Sequence, residues 1–288
     1  MMISNAVDST LHVRYAPLLS VVVPVYNEGR TVTALLDRLY EEKTSKEIIV
    51  VNDGSSDDSG KLVDAWISQM RGLNPHTSRI VQVEHTHNRG KGRAVRSGLD
   101  VAQGEYFLVQ DADLELCPSN YPSLLAPILT KQAQVVLGSR VVHRAAFRNL
   151  HRLGITIANA LIRLAYGYRV SDAACCYKLT RTDTVRTMDL QCEGFEFCPE
   201  FLAKVARLGL SVQEVAVAYA PRRPDEGKKL QLIRDGRKFL ATLIRFRNWS
   251  PPATHAAGRE TAAATILPAH PGDVNADQVI HSASDGKV

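Results

Sequence analysis

The chain has 288 residues, 45% hydrophobic and 23% charged, with a formal net charge of +5. That is ordinary for a soluble globular protein, and the small positive excess favours anionic partners without selecting one. Five cysteines without a CxxC pair argue against a zinc site or a disulfide framework, and no apolar run approaches the roughly 20 residues of a membrane span.

Residues 18–25 (LLSVVVPV) are a valine-rich run, the pattern of a strand buried on both faces. The run ends at Tyr26-Asn27-Glu28-Gly29. A helix follows, with Val32, Leu35, Leu36 and Leu39 on one face. Residues 47–51 predict a second strand, closed by Asp53 and Gly54, with Ser55 or Ser56 placed to cap the next helix. That helix carries Leu62, Val63, Trp66 and Ile67. Residues 79–83 predict a third strand. Gly90-Lys91-Gly92 then reads equally as a flexible turn or as a weak phosphate contact, since it is neither a Walker loop nor a full GxGxxG. A helix over 94–102, a strand from Tyr106, a helix over 121–129 and a strand over 133–137 complete this half. It closes on Gly138-Ser139-Arg140.

The second half is more mixed. Residues 150–166 predict a basic amphipathic helix with Arg148, Arg152 and Arg163. Residues 171–179 read as an irregular strand, and Gly194 to Glu200 opens a helix running to about Leu208. A strand over 212–219 precedes a last amphipathic helix ending near Arg247. This helix alternates apolar residues with Arg234, Arg237, Lys238 and Arg245. It fits either a membrane interface, basic side to headgroups, or packing on the sheet with a basic solvent face. Pro251-Pro252 ends it. Three segments result: an extension over 1–17, a folded domain over 18–248, and a tail over 249–288 with the composition of a disordered segment. Residues 1–16 lack the apolar core of an export signal.

The most chemically loaded stretch is Gln110-Asp111-Ala112-Asp113-Leu114-Glu115, directly after the apolar run 106–109. In extended chain, side chains two apart point the same way, so Asp111, Asp113 and Glu115 would converge. Three carboxylates repel unless a cation neutralises them, and hard oxygen ligands suit magnesium or manganese. The competing reading is a solvated acidic strand exit. The alternation of strands and helices implies a doubly wound, mostly parallel sheet flanked by helices, in which ligands bind beyond the carboxyl ends of the strands. Tyr26, Glu28, Asp53, the acidic stretch and Arg140 all fall at those ends, which favours the metal reading.

The segments SVVVPVYNE (20–28), VNDGSSDDS (51–59), NRGKGRAVRSGL (88–99), QDADLE (110–115) and GSR (138–140) together resemble the inverting family 2 glycosyltransferases of GT-A fold. Within that family the likeness is greatest to dolichyl- or polyprenyl-phosphate mannose and glucose synthases. The resemblance implies a nucleotide-sugar half over about 18–140 and an acceptor half over about 141–248. By the same resemblance, Pro24, Tyr26, Glu28 and Asp53 frame the nucleoside. Asp111, Ala112 and Asp113 form the DxD segment, with Asp111, Asp113 and Glu115 as metal ligands for magnesium or manganese. Arg140 approaches the acceptor phosphate, with Arg152 as a second group, and Arg222 and Lys228 close over the diphosphate. The residues alone also leave Arg140 open to an ion pair with a neighbouring carboxylate, as the lesser alternative.

The implied partners are a nucleotide-diphosphate sugar of the UDP-glucose or GDP-mannose type and a polyprenyl phosphate. The implied place of work is cytoplasmic and peripheral, on the inner face of the membrane. An anionic phosphate acceptor needs positive groups rather than a general base; a hydroxyl acceptor needs a base, for which Glu200 and Glu196 are the candidates. One departure is Asp172-Ala173-Ala174-Cys175-Cys176-Tyr177-Lys178, where relatives often carry a polar Glu-Thr or Gln before Cys-Tyr-Lys. A glycan or small-metabolite acceptor, a nucleotidyltransferase and a non-catalytic sugar-nucleotide or membrane-binding module are the competing readings. Nucleic acid is not expected, because the acidic edge would repel a phosphate backbone.

Overall fold

The computed structural model describes residues 17–70, 76–140, 149–222 and 232–252, with the side chains of 149–152, 232, 233 and 235 outside that description. Among these, β1 (Leu19–Val25), β2 (Lys46–Asn52), β3 (Thr77–Glu84), β4 (Tyr106–Val109), β5 (Val135–Ser139), β6 (Lys178–Arg181) and β7 (Val212–Ala216) form one sheet of order β3-β2-β1-β4-β6-β5-β7. All neighbouring pairs are parallel except those of β6, which runs against both β4 and β5. The helices are α1 (Val32–Glu41), α2 (Ser59–Met70), α3 (Lys91–Val101), α4 (Tyr121–Leu129), α5 (Asn149–Tyr166), α6 (Thr182–Thr187), α7 (Phe197–Leu208) and α8 (Leu232–Arg245).

The first half follows its hydrophobic pattern closely. Strand β1 is buried along nearly its whole length and β4 throughout, as continuous apolar runs require when helices cover both faces. Helix α1 buries Val32, Leu35, Leu36 and Leu39, the predicted stripe. In α2 the buried set is Ser59, Val63, Trp66 and Ile67, and Leu62 turns outward. The predicted serine caps are not used. Ser55 Oγ accepts from the Asn27 N–H at 3.1 Å, and the Asp57 carboxylate accepts the Ser59 N–H at 3.0 Å.

Three differences matter further on. Helix α3 begins at Lys91, three residues before the predicted start, so Lys91 opens a helix instead of sitting in a flexible turn. The segment 171–179 is strand only from Lys178; its first seven residues form a loop whose groups bond to neighbouring elements. Helix α8 packs mainly on α5 and α7 rather than on the sheet, burying Leu243 and Phe246, with the Tyr166 hydroxyl donating to Leu243 O at 2.6 Å. Arg148 and the tail from 253 onward lie outside the described residues.

At the amino ends of the strands, opposite the predicted ligand edge, one buried carboxylate ties three strands and the loop before β4 together. Glu47 Oε1 accepts from Ser20 Oγ at 2.6 Å and from the Gly104 N–H at 2.9 Å, while Oε2 pairs with Arg79 at 3.0 Å. A buried charge this well bonded becomes costly when its partners are stranded. Glu47→Ala should lower unfolding free energy by about 3 kcal/mol. Urea unfolding with an unchanged m-value would confirm this, and a loss below about 1 kcal/mol would show that water replaces the network.

Candidate active site

The strand order reverses between β1 and β4, because the chain winds outward through β2 and β3 on one side and through the later strands on the other. Helices diverge there and leave a crevice beyond the carboxyl ends. A cavity of about 790 Å³ occupies it. Pro24, Tyr26, Glu28, Asp53, Asp111, Ala112, Asp113, Glu115, Arg140 and Arg222 all line it. These are ten of the twelve site residues expected from sequence. Lys228 and the side chain of Arg152 lie outside the described residues.

Asp53 is almost fully buried and is the hub of the β2 end. Its carboxylate accepts the Arg89 and Gly90 N–H groups at 2.9 and 2.8 Å and the Asn88 amide at 3.0 Å. His85 Nδ1 lies 2.6 Å from Asp53 Oδ1, and its Nε2 lies 2.9 Å from Ser97 Oγ. This Asp53–His85–Ser97 relay was missed in the sequence because its members come from β2, the end of β3 and α3. The flanking glycines of Gly90-Lys91-Gly92 also have a structural reason. The segment 192–194 crosses the start of α3 so closely that a Cβ at Gly90 would sit 2.5 Å from Glu193 O, and one at Gly92 2.3 Å from Cys192 O.

The acidic stretch does not continue β4. The strand ends at Val109, and Leu114 adopts a left-handed φ of 61°. Gln110 anchors the turn: its Nε2 donates to Asp111 O and Leu116 O at 3.1 and 3.3 Å, and its Oε1 accepts the buried hydroxyls of Tyr121 and Tyr177 at 2.9 and 2.6 Å. The extended geometry that would have aligned all three carboxylates is therefore absent. Glu115 Oε1 instead accepts the Arg222 N–H at 3.1 Å. Among the described residues no three His, Cys, Asp or Glu side chains form a preassembled metal centre.

The two aspartates differ sharply. Asp111 Oδ1 is 2.5 Å from Lys91 Nζ. Burial opposes the Asp111 charge, yet the ammonium outweighs it and holds the carboxyl below its ordinary value. For Lys91 burial likewise opposes the charge, and Asp111 outweighs it and keeps the ammonium charged. Asp113 has no such partner as close. Burial, then the Asp111 and Glu115 charges, push it up to about 7 against the pull of Arg222, whose Nε is 3.8 Å away. Hard oxygen donors under mutual repulsion fit a divalent cation, with Asp111 and Asp113 on the protein side and the remaining positions left to ligand oxygens.

Positive groups face this edge. Arg222 Nη2 also pairs with Glu28 Oε2 at 2.5 Å, so it spans the β1 end and the acidic turn. Arg140 is clamped by Asp172: its Nε and Nη2 donate to the two carboxylate oxygens at 2.7 and 2.9 Å, and its N–H donates at 3.1 Å. The sequence alternative of an ion pair is thus realised, and Arg140 still lines the cavity. Burial works against its charge, but the Asp172 hydrogen bonds outweigh it and raise its pKa. The stretch of α5 that lines the cavity is apolar, with Leu153, Ile157 and Leu161, and Phe195 and Phe239 of α8 add to it beside Glu196, Arg234 and Lys238.

Glu200 is fully buried; it accepts the Gln191 and Cys192 N–H groups, both at 2.7 Å, and pairs with Lys204 at 2.6 Å. It does not reach the cavity. Glu196 does, paired with Lys238 at 2.8 Å.

Residues 20–188 match the model of the glycosyl transferase family 2. A dolichyl-phosphate beta-glucosyltransferase of Dictyostelium discoideum is 30% identical over 251 residues, covering 80% of this chain and 73% of that protein. An undecaprenyl-phosphate 4-deoxy-4-formamido-L-arabinose transferase of Proteus mirabilis is 30% identical, covering 73% of this chain and 62% of its own. A dodecaprenyl-phosphate galacturonate synthase of Rhizobium johnstonii is 30% identical, with 71% and 59% covered. The chain thus spans less than two thirds of the latter two.

Two solved structures share the fold. A mannosyltransferase of Pyrobaculum calidifontis, in complex with GDP-Man and Mn2+, aligns at TM-score 0.57 and 20% identity over 83% of this chain and 66% of that one. A glucosyl-3-phosphoglycerate synthase of Mycobacterium tuberculosis, with Mn2+, UDP-glucose and glycerol 3-phosphate, aligns at 0.59 and 22% over 87% and 88%. With the family model covering over half of its length, the chain belongs to glycosyl transferase family 2 and is a glycosyltransferase of GT-A fold.

Proposed function

We propose that this enzyme transfers a hexose, with inversion, from a nucleotide-diphosphate sugar of the UDP-glucose or GDP-mannose type to a polyprenyl phosphate. The observation that carries the reading is the make-up of one cavity. Its carboxylate end at β1 and β4 meets Lys91, Arg140 and Arg222, and the stretch of α5 that lines it is apolar. A charged donor, an anionic acceptor head and a hydrocarbon tail each find a matching surface. The relatives named above carry different sugars in their names but share a polyprenyl or dolichyl phosphate.

In this reading Pro24, Tyr26, Glu28 and Asp53 hold the nucleoside. Asp111 and Asp113 would hold a magnesium or manganese ion, which supplies positive charge to the diphosphate leaving group. Lys91 and Arg222 add charge on the same side, and Lys228 belongs to the segment after Arg222. Arg140 faces the acceptor phosphate with its orientation already set by Asp172, so little reorganisation is needed as charge shifts. An acceptor phosphate attacks without losing a proton. This agrees with the sequestration of Glu200 and the Lys238 pairing of Glu196, and it disfavours a hydroxyl acceptor. The place of work is the cytoplasmic face of a membrane, where both substrates meet.

The direct test is a donor-by-acceptor assay with radiolabelled UDP-glucose or GDP-mannose, magnesium or manganese, and polyprenyl phosphate in detergent. Butanol-extractable label should form and should fall by a factor on the order of 100 or more in Asp113→Asn. Because that substitution relieves like-charge repulsion, the melting temperature of the metal-free protein should stay level or rise. Nucleotide release without lipid labelling would move the acceptor elsewhere, and no turnover with a broad donor panel would sink the reading.

The His85 relay generates a second test. His85→Ala should raise donor KM by about tenfold, the scale of one charge-assisted hydrogen bond, with kcat within about twofold. His85→Gln, whose amide still donates, should recover part of the loss. An equal fall in kcat for both variants would show that Asp53 does not act through nucleoside binding.

A further inference from the structure

Among the described residues eight large apolar side chains are exposed, and six of them belong to two helices that pack on each other or lie beside them: Leu153, Ile157 and Leu164 of α5, Leu240 and Ile244 of α8, and Phe195, which lines the cavity with Leu153 and Ile157. Leu164 is 85% exposed and Ile244 66%. The three α5 residues stand at i, i+4 and i+11, within about 40° of one another around the helix. An apolar stripe this clustered is not the scattered exposure of an ordinary surface.

The surrounding charge is mainly positive, with Glu193 and Glu196 beside Phe195 as the acidic exceptions outside the helices. No acidic residue occurs in α5, and α8 contains Asp235 alone. Arg163, Arg169, Arg234, Arg237, Arg245 and Arg247 are all exposed around the stripe. Arg163, Arg169 and Leu164 line a second pocket, which places two guanidinium groups beside the most exposed leucine. Two copies of this face would repel each other, whereas an anionic lipid surface matches both its charge and its apolar stripe.

We propose that the α5–α8 face is a docking surface for an anionic lipid bilayer, inserting Leu164 and Ile244 and laying its arginines among the headgroups. This rests on the lipid-phosphate reading above and deepens it. Leu153, Ile157 and Phe195 belong both to this face and to the cavity wall. Docking therefore opens the cavity towards the bilayer, and a prenyl tail passes from membrane to site along apolar surface. The sequence left the last helix open to a membrane interface or to packing on the sheet; in the structure α5 adds three exposed apolar side chains to the two of α8.

The test is vesicle flotation of the full chain, with phosphatidylcholine alone and with phosphatidylcholine mixed with phosphatidylglycerol. The protein should bind the anionic vesicles, and added salt should weaken the binding. Leu164→Glu combined with Ile244→Glu should reduce it by more than about tenfold, since two anchors are lost and two repelling charges added. Arg163→Glu with Arg169→Glu should remove most of the preference for phosphatidylglycerol. Both sites are exposed, so melting temperatures should stay unchanged. Binding that survives the Leu164 and Ile244 changes would overturn the proposal. So would a protein that binds neither vesicle, or one that dimerises through this face and becomes monomeric in the double variant. A short, water-soluble prenyl phosphate without vesicles separates the two readings. Wild type and double variant should turn it over equally, whereas failure of both with vesicle binding intact would sink the acceptor assignment and leave the docking surface standing.

Discussion

The ion pair between Lys91 and Asp111 is the constraint around which the site is arranged. A carboxylate at the end of a fully buried strand has little water to stabilise it, so its charge must be met by protein. Lys91 meets it from the first position of α3. To do so α3 must start at that residue, and Gly90 and Gly92 must clear the segment 192–194 that crosses it. The loop before Lys91 is held in turn by Asp53 through the Arg89 and Gly90 N–H groups. One ion pair thus couples β2, α3 and β4, and its geometry is inherited from the rigid half of the sheet.

The two edges of the sheet use buried carboxylates for different ends. At the amino edge Glu47 is saturated by Ser20, Gly104 and Arg79, which makes it structural. At the carboxyl edge the acidic turn is pinned mainly through Gln110, a neutral residue, and the aspartates give the backbone a single acceptor, Asp113 Oδ1 to the Glu115 N–H at 3.1 Å. Asp113 bears the consequence: its charge is incompletely compensated, and it is lifted to about 7. A site that binds a cation has to keep such a deficit, because a carboxylate fully satisfied by protein has little to gain from a metal.

Much of the first half of the chain was legible because its signals are local. The valine run of β1 and the stripe of α1 are periodic patterns, and strand ends carry their polar residues in sequence order. What was not legible depended on distant partners. The convergence of Asp111, Asp113 and Glu115 failed at Leu114, whose left-handed backbone no residue-type rule demands. His85 looked like any strand-exit histidine until Ser97 and Asp53 closed on it. In the second half, the loop before Lys178 owes its shape to bonds to Glu214 and Asn159, which lie on other elements. Helix α8 was readable as amphipathic, but its partner was not, because its apolar face fits a helix pair as well as a sheet.

Arg140 and Arg222, two of the arginines that line the cavity, show how the site divides fixed from exchangeable charge. Arg140 gives three hydrogen bonds to Asp172 in a buried setting, and the pair is neutral overall, so its guanidinium is oriented before any ligand arrives. Arg222 is held by Glu28 on one side and the acidic turn on the other, both of which line the cavity. In the proposed reading a diphosphate and a cation entering there would compete for the same partners, the carboxylates turning to the cation and the guanidinium to the phosphates. Each exchange would replace an internal ion pair by one with the ligand, so that no charge would be left stranded. The Arg222 pairs are suited to such an exchange because Glu28 and the acidic turn already neutralise the guanidinium that a phosphate would otherwise have to meet.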